Sequence, residues 1–134
     1  MKKLLFVFVA FFSVFILVGC DGKTEEPDYT LPEVVTMENI DEYILYPNVG
    51  VIDVRNWQDK LNGGYIRGSH FIPFFQYLEY EEILVRVDGW NFSPDAIKDE
   101  AALRNIFDED MNIILLCAGG TRAGFVREAL LHLG

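Results

Sequence analysis

The residues best placed to do chemistry are Cys117-Ala118-Gly119-Gly120-Thr121-Arg122, which follow the apolar run Asn112-Ile113-Ile114-Leu115-Leu116. A cysteine, four residues and an arginine stand between a strand pattern and a helix pattern. Glycines let backbone N–H groups turn inward as an anion nest. The N–H groups of a helix's first turn have no helical partners and carry the positive end of the dipole. Arg122 adds a full positive charge. All three favour thiolate over thiol, so Cys117 is expected to have a lowered pKa. That is a nucleophile's setting, suited to a negatively charged sulfur product. A buried structural thiol would leave the glycine pair and Arg122 without a reason.

Other chemistries fit less well. The chain has 134 residues, with 11 Lys and Arg against 21 Asp and Glu, a net charge of −10. A nucleic-acid partner calls for a basic footprint, so none is expected. The two histidines, His70 and His132, are too scattered to build a metal site with one thiol, so no metal is expected. His132 lies three turns along the last helix pattern, a poor place for a general base. A thiol–disulfide oxidoreductase needs a resolving cysteine after two intervening residues, and Gly120 stands there. Trp57 and Trp90 are assigned to packing.

The elements that must position the loop follow from periodicity. Glu33–Val35 reads as a short strand. Thr36 can cap a helix over Met37–Tyr46, with Met37, Ile40, Ile44 and Leu45 on one stripe, stopped by Pro47. Val49–Val54 is nearly all apolar, as a central parallel strand buried on both faces would be. Asn56–Gly64 reads as a loop. A short strand at Gly68–Phe74 precedes helices at Phe75–Val87 and Asp95–Phe107. Asn112–Cys117 reads as a second buried strand. Thr121–Leu133 is a helix with Phe125, Val126, Ala129, Leu130 and Leu133 on its apolar face. Alternating strands and helices imply an α/β class with a mostly parallel sheet flanked by helices. Ligands of such sheets bind beyond the carboxyl ends of the strands, where Cys117 stands.

The first residues read as a targeting signal. Lys2 and Lys3 precede Leu4–Val18, apolar except for Ser13. A helix of that length, about 22 Å, falls short of the roughly 30 Å hydrocarbon core, so a signal peptide over 1–19 is expected. Leu17-Val18-Gly19-Cys20 resembles a bacterial lipobox. The resemblance implies lipidation of Cys20 and a domain held at the cell membrane on its extracytoplasmic side. Residues 20–32, polar, acidic and holding two prolines, read as the lipidated cysteine and its flexible tether. With Cys20 consumed, Cys117 is the only free thiol, and an odd thiol in an exported protein points to reactivity or intermolecular pairing.

Three stretches together resemble the rhodanese family. Cys117 to Arg122 is similar to its active-site loop. Val51-Ile52-Asp53-Val54-Arg55 resembles its Asp-x-Arg strand end. Gly64-Tyr65-Ile66-Arg67-Gly68-Ser69-His70-Phe71-Ile72-Pro73 resembles its Gly-His-Ile-Pro-Gly-Ala-x-x-Ile-Pro segment, departing at Tyr65, Arg67 and Ser69. The likeness covers roughly Val34–Gly134, and the domain is expected over 33–134. It implies a sulfurtransferase in which Cys117 carries a persulfide and which needs no metal or organic cofactor. Ala118, Gly119, Gly120, Thr121 and Arg122 would bind the substrate, and Asp53 and Arg55 would support nearby loops. The implied partners are a small sulfur-donor anion such as thiosulfate and a thiol or cyanide acceptor. Related dual-specificity phosphatase loops put five residues before their arginine, which here would fall on Ala123. A tethered, non-enzymatic sulfur-carrier or interaction module is the alternative. Family members usually run about twenty residues past this last helix, so the domain is expected to be C-terminally short and to lack the last strand.

Overall fold

The computed structural model describes residues 29–32 and 35–134. The expected signal, Cys20 and the tether up to Asp28 lie outside the described residues, as do Glu33 and Val34 of the expected first strand.

Among the described residues, three parallel strands form the sheet, in the order β2-β1-β3. They are β1 (Val49–Asp53), β2 (His70–Phe71) and β3 (Asn112–Leu116). β1 lies in the middle and pairs with β3 from Val49↔Asn112 to Asp53↔Leu116, and with β2 at Ile52↔His70 and Asp53↔Phe71. Val49, Val51, Ile52 and Asp53 are buried, which is why the strand is apolar almost throughout. Among the described residues β3 pairs on one side only, and Ile113–Leu116 are half-buried while Asn112 is exposed. The short β2 is extended past its formal end, where Ile72 N–H donates to the Asp53 carbonyl and Phe74 N–H to that of Val54.

Side chains alternate across a strand, so Ile52 and Val54 face one way and Val51 and Asp53 the other. Ile52 and Val54 face the main core, which they share with Phe74, Leu78, Leu84, Leu103 and Phe125. The helix α4 (Thr121–Leu133) supplies Phe125, Val126 and Ala129 to this core, with Leu130 and Leu133 packed at its margin. This is the face its sequence pattern gives.

Four elements differ from expectation. Only Ile40–Tyr43 (α1) is α-helical in the first segment, and of its expected stripe Ile40 alone is buried; Met37 and Leu45 are exposed. The expected cap, Thr36, lies outside α1, whose N-cap is Asn39; the Thr36 Oγ1 accepts from Glu38 N–H in the turn before the helix. The expected loop after β1 is a helix, α2 (Trp57–Gly63), in which Lys60 N–H bonds back to the Asn56 carbonyl. Phe75–Val87 is not one helix. A π-helical turn covers Phe74–Glu79, Glu82 takes φ 54°, and the chain straightens so that Ile83 and Leu84 are both buried. Leu84 then bridges antiparallel to Ile97. That bridge also splits the expected Asp95–Phe107 helix into a 3-10 turn at Pro94–Ala96 and α3 (Glu100–Ile106). Asp99 starts α3 by accepting from Ala102 N–H at 2.9 Å. In the last two cases a buried apolar residue, Leu84, outweighs helical spacing on paper.

Among the described residues no helix is long and apolar enough to cross a membrane. The domain's face also carries Tyr29, whose ring meets Tyr46 at 5.1 Å between centroids and whose carbonyl accepts from Asn48 Nδ2.

Candidate active site

Parallel register brings two strand ends together. Asp53 pairs with Leu116, and Val54 N–H donates to the Leu116 carbonyl at 3.0 Å. Asp53-Val54-Arg55 and the loop from Cys117 therefore leave the sheet side by side, beyond the carboxyl ends of the strands.

Cys117 is a free, half-buried thiol. Its own burial is the largest single influence and pushes the thiol up. Against it act the backbone N–H groups of Ala123, Gly119 and Arg122 and the charge of Arg122, and together they hold the pKa below an ordinary cysteine's. The expected direction holds with a different membership. Of the expected loop residues, Gly119 and Arg122 act on the sulfur through the backbone, while Ala118, Gly120 and Thr121 are not among the groups that lower it. Ala123 N–H acts most strongly, and it was not singled out in the sequence. Its signal was available, because it lies in the first turn of α4, where N–H groups lack partners.

Gly120 does a different job. It is the residue before α4, at φ 81°, in the left-handed region that glycine enters without cost. This swings the chain from β3 into α4 and aims the first turn at the sulfur. Gly119 has no such backbone, and a Cβ there would meet nothing within 4 Å.

Arg122 is tied at its far end. Its Nη1 donates to Asp59 Oδ2 at 2.8 Å, and its side chain is 13% exposed. Burial pulls its pKa down, but the Asp59 hydrogen bond and the neighbouring Cys117 sulfur outweigh this and hold it above the ordinary value. Asp59, in turn, is held below the usual carboxylate range, chiefly by the Arg122 hydrogen bond. Reading Asn56–Gly64 as a loop left Asp59 unnoticed. The signal was Asn56 with an acidic residue three positions on, an N-terminal helix signature: Asn56 N–H reaches Asp59 Oδ2 at 3.4 Å.

Asp53 and Arg55 form a second, deeper pair. Asp53 is fully buried, and Arg55 is 12% exposed. Arg55 donates from Nε to Oδ1 at 2.9 Å and from Nη2 to Oδ2 at 2.8 Å, the two-pronged geometry that makes such bonds strong. The same Nη2 donates to the Gly64 carbonyl at 2.7 Å, fixing the end of α2. Arg55 is raised first by the Asp53 hydrogen bond, with Asp59 and Cys117 adding their charges. The pair thus braces α2 beside the loop.

The remaining candidates sit in packing. Trp90 lies against Phe74, Phe75 and Phe125, and Trp57 against Phe71. His132 contacts the ring of Phe92. A groove of about 720 Å³ runs elsewhere, along β3 and α4, lined by Leu31, Val35, Phe107, Ile114 and Leu130 among others but not by Cys117.

No curated protein and no solved structure matches the chain. The rhodanese-like domain profile matches residues 27–134, from just before Tyr29 through the strands, the Asp53–Arg55 pair and the Cys117 loop. By that match the chain belongs to the rhodanese-like domain family.

Proposed function

We propose that the chain is a sulfurtransferase that carries sulfane sulfur on Cys117. The Cys117 thiolate attacks the outer sulfur of a donor such as thiosulfate. The donor's S–S bond breaks, sulfite leaves with the electron pair, and a persulfide anion remains on Cys117. An acceptor thiolate or cyanide then attacks that outer sulfur and the Cys117 thiolate returns. These are two half-reactions joined by a covalent intermediate, which gives ping-pong kinetics. The observation that supports this reading best is the placement of the Gly119, Arg122 and Ala123 N–H groups and the Arg122 charge around the Cys117 sulfur, in a protein of net charge −10. The local N–H groups and Arg122 override the charge of the whole chain, and the same groups suit a persulfide anion.

Mass spectrometry of the purified protein after incubation with thiosulfate tests it. A gain of one sulfur atom that disappears in Cys117→Ser, and on adding cyanide, is the expected outcome. Without that gain, the reading falls to a non-enzymatic, tethered interaction module. We also propose that Cys20 is lipidated and holds the domain at the extracytoplasmic face of the cell membrane, on the strength of Leu17-Val18-Gly19-Cys20 behind Lys2 and Lys3. Metabolic labelling with a fatty-acid probe that is lost in Cys20→Ser is the expected result.

A further inference from the structure

Asp59 and Arg122 are 63 residues apart in the chain and 2.8 Å apart in space. Theirs is the direct side-chain ion pair between α2 and the loop that surrounds the sulfur. The lysine next to Asp59 does not compete for the carboxylate. Lys60 Nζ lies 4.0 Å from the Phe71 ring centroid and is shared with the rings of Trp57 and Tyr65. Arg55 is engaged with Asp53 and Gly64. Arg122 is therefore held between one carboxylate and one sulfur.

We propose that Asp59 is a positioning residue of the sulfur site: it fixes the Arg122 guanidinium beside Cys117 and takes up part of its charge, so setting how strongly the site attracts an anionic donor. This rests on the sulfurtransferase reading for its substrate, but not for its geometry. The two functions of the carboxylate separate by substitution. Asp59→Asn keeps an oxygen that can accept from Arg122 Nη1 and removes the negative charge. Asp59→Glu keeps the charge and lengthens the arm. The charged groups that face this pair are Arg55 after β1, with its partner Asp53, and the Cys117 sulfur itself. With Asp59 neutral, more of the Arg122 charge is directed at the sulfur, which favours thiolate.

The test uses the full chain and two separate readouts. The first is the pH profile of Cys117 alkylation by iodoacetamide, which needs no sulfur donor. The second is KM and kcat for thiosulfate with cyanide as acceptor. In Asp59→Asn the alkylation profile is expected to move to lower pH by a few tenths of a unit to about one unit, the lower end of charge-pair effects. KM for thiosulfate is expected to fall several-fold, with kcat changing less. Asp59→Glu should restore the original profile. In an Arg122→Ala background the Asp59→Asn shift should shrink to a small fraction, because the carboxylate acts through the guanidinium. An unmoved profile in Asp59→Asn, or an equal shift with and without Arg122, overturns the proposal. If Asp59→Asn does not fold, Asp59→Ala decides: a profile moved to lower pH in a folded variant supports the proposal, and an unmoved one with the parent's KM overturns it. Sulfur loading with an unmoved profile would sink the Asp59 role alone. A moved profile without loading would keep that role and sink the sulfurtransferase reading.

Discussion

At the scale of single residues, the site is a contest between burial and local positive charge. Cys117 is half-buried, which penalises its thiolate, and three N–H groups with one guanidinium reverse the sign. Iodoacetamide reactivity of the folded protein should accordingly rise with pH at a midpoint below the roughly 8.5 of an unperturbed cysteine, and a midpoint at or above it would refute the nest. The linkage follows from the same sign. A thiol whose pKa is lowered by folding stabilises the fold fully above the unfolded pKa and loses that contribution as pH falls through the folded one. Asp59 and Glu79, held low chiefly by Arg122 and Arg86, behave likewise at acid pH, so unfolding should become easier as pH drops through the carboxylate range. The glycine pair divides by backbone angle. Gly120→Val at φ 81° should cost at least the roughly 1–2 kcal/mol of a left-handed residue, and Gly119→Ala should be nearly neutral, as thermal melts and sulfur loading would show.

At the scale of elements, the strands and α4 were legible because each carries one strong period. Val49–Ile52 is apolar without interruption, and α4 places Phe125, Val126 and Ala129 on one side. The position of the Cys117 loop, beyond the end of a strand and before a helix, was legible because the apolar run and the glycines mark both boundaries. The middle of the chain was not. The spacing of Tyr77, Leu78, Leu84 and Val85 fits a helix, but Leu84 is fully buried only when the chain turns at Glu82 and bridges to Ile97. No local pattern announces that partner. α2 was missed for the opposite reason. It is short, none of its residues is buried, and so it lacks the apolar stripe that periodicity detects. Its start was nonetheless written in Asn56 and Asp59. The start of α3 shows the same device with a measurable value. Asp99 accepts from Ala102 N–H, and Asp99→Ala should destabilise the protein by about 0.5–2 kcal/mol in chemical denaturation while leaving sulfur loading intact.

At the scale of the whole molecule, the core and the site meet at Asp53. Its neighbour Ile52 enters the main core, while its own side chain is fully buried on the opposite side and holds Arg55 in two bonds. Breaking a buried ion pair by removing one member costs about 3–5 kcal/mol, because the other charge stays behind. Asp53→Ala should therefore lower the melting temperature by well over the roughly 4–8 °C that 1 kcal/mol brings in a small domain. Asp53→Ala with Arg55→Ala should recover part of the loss, since no orphaned charge remains. An unchanged melting temperature in the single variant would mean that α2 is braced by other means.

The pairing of β1 with β3 also sets when the proposed nucleophile comes into being. Asp53 faces Leu116 across strands far apart in sequence, and the loop around Cys117 takes its shape only once that register has closed. Contacts of such long range form late and slowly compared with helical turns. Before closure Cys117 is an ordinary thiol, mostly protonated at neutral pH and slow to react. The chain thus passes through synthesis and any transport in a chemically quiet form, and its reactivity arrives with its topology. During refolding from denaturant, pulses of iodoacetamide should capture Cys117 with a rate constant that climbs in step with the slow phase of sheet closure, so that the thiol itself keeps time for the fold.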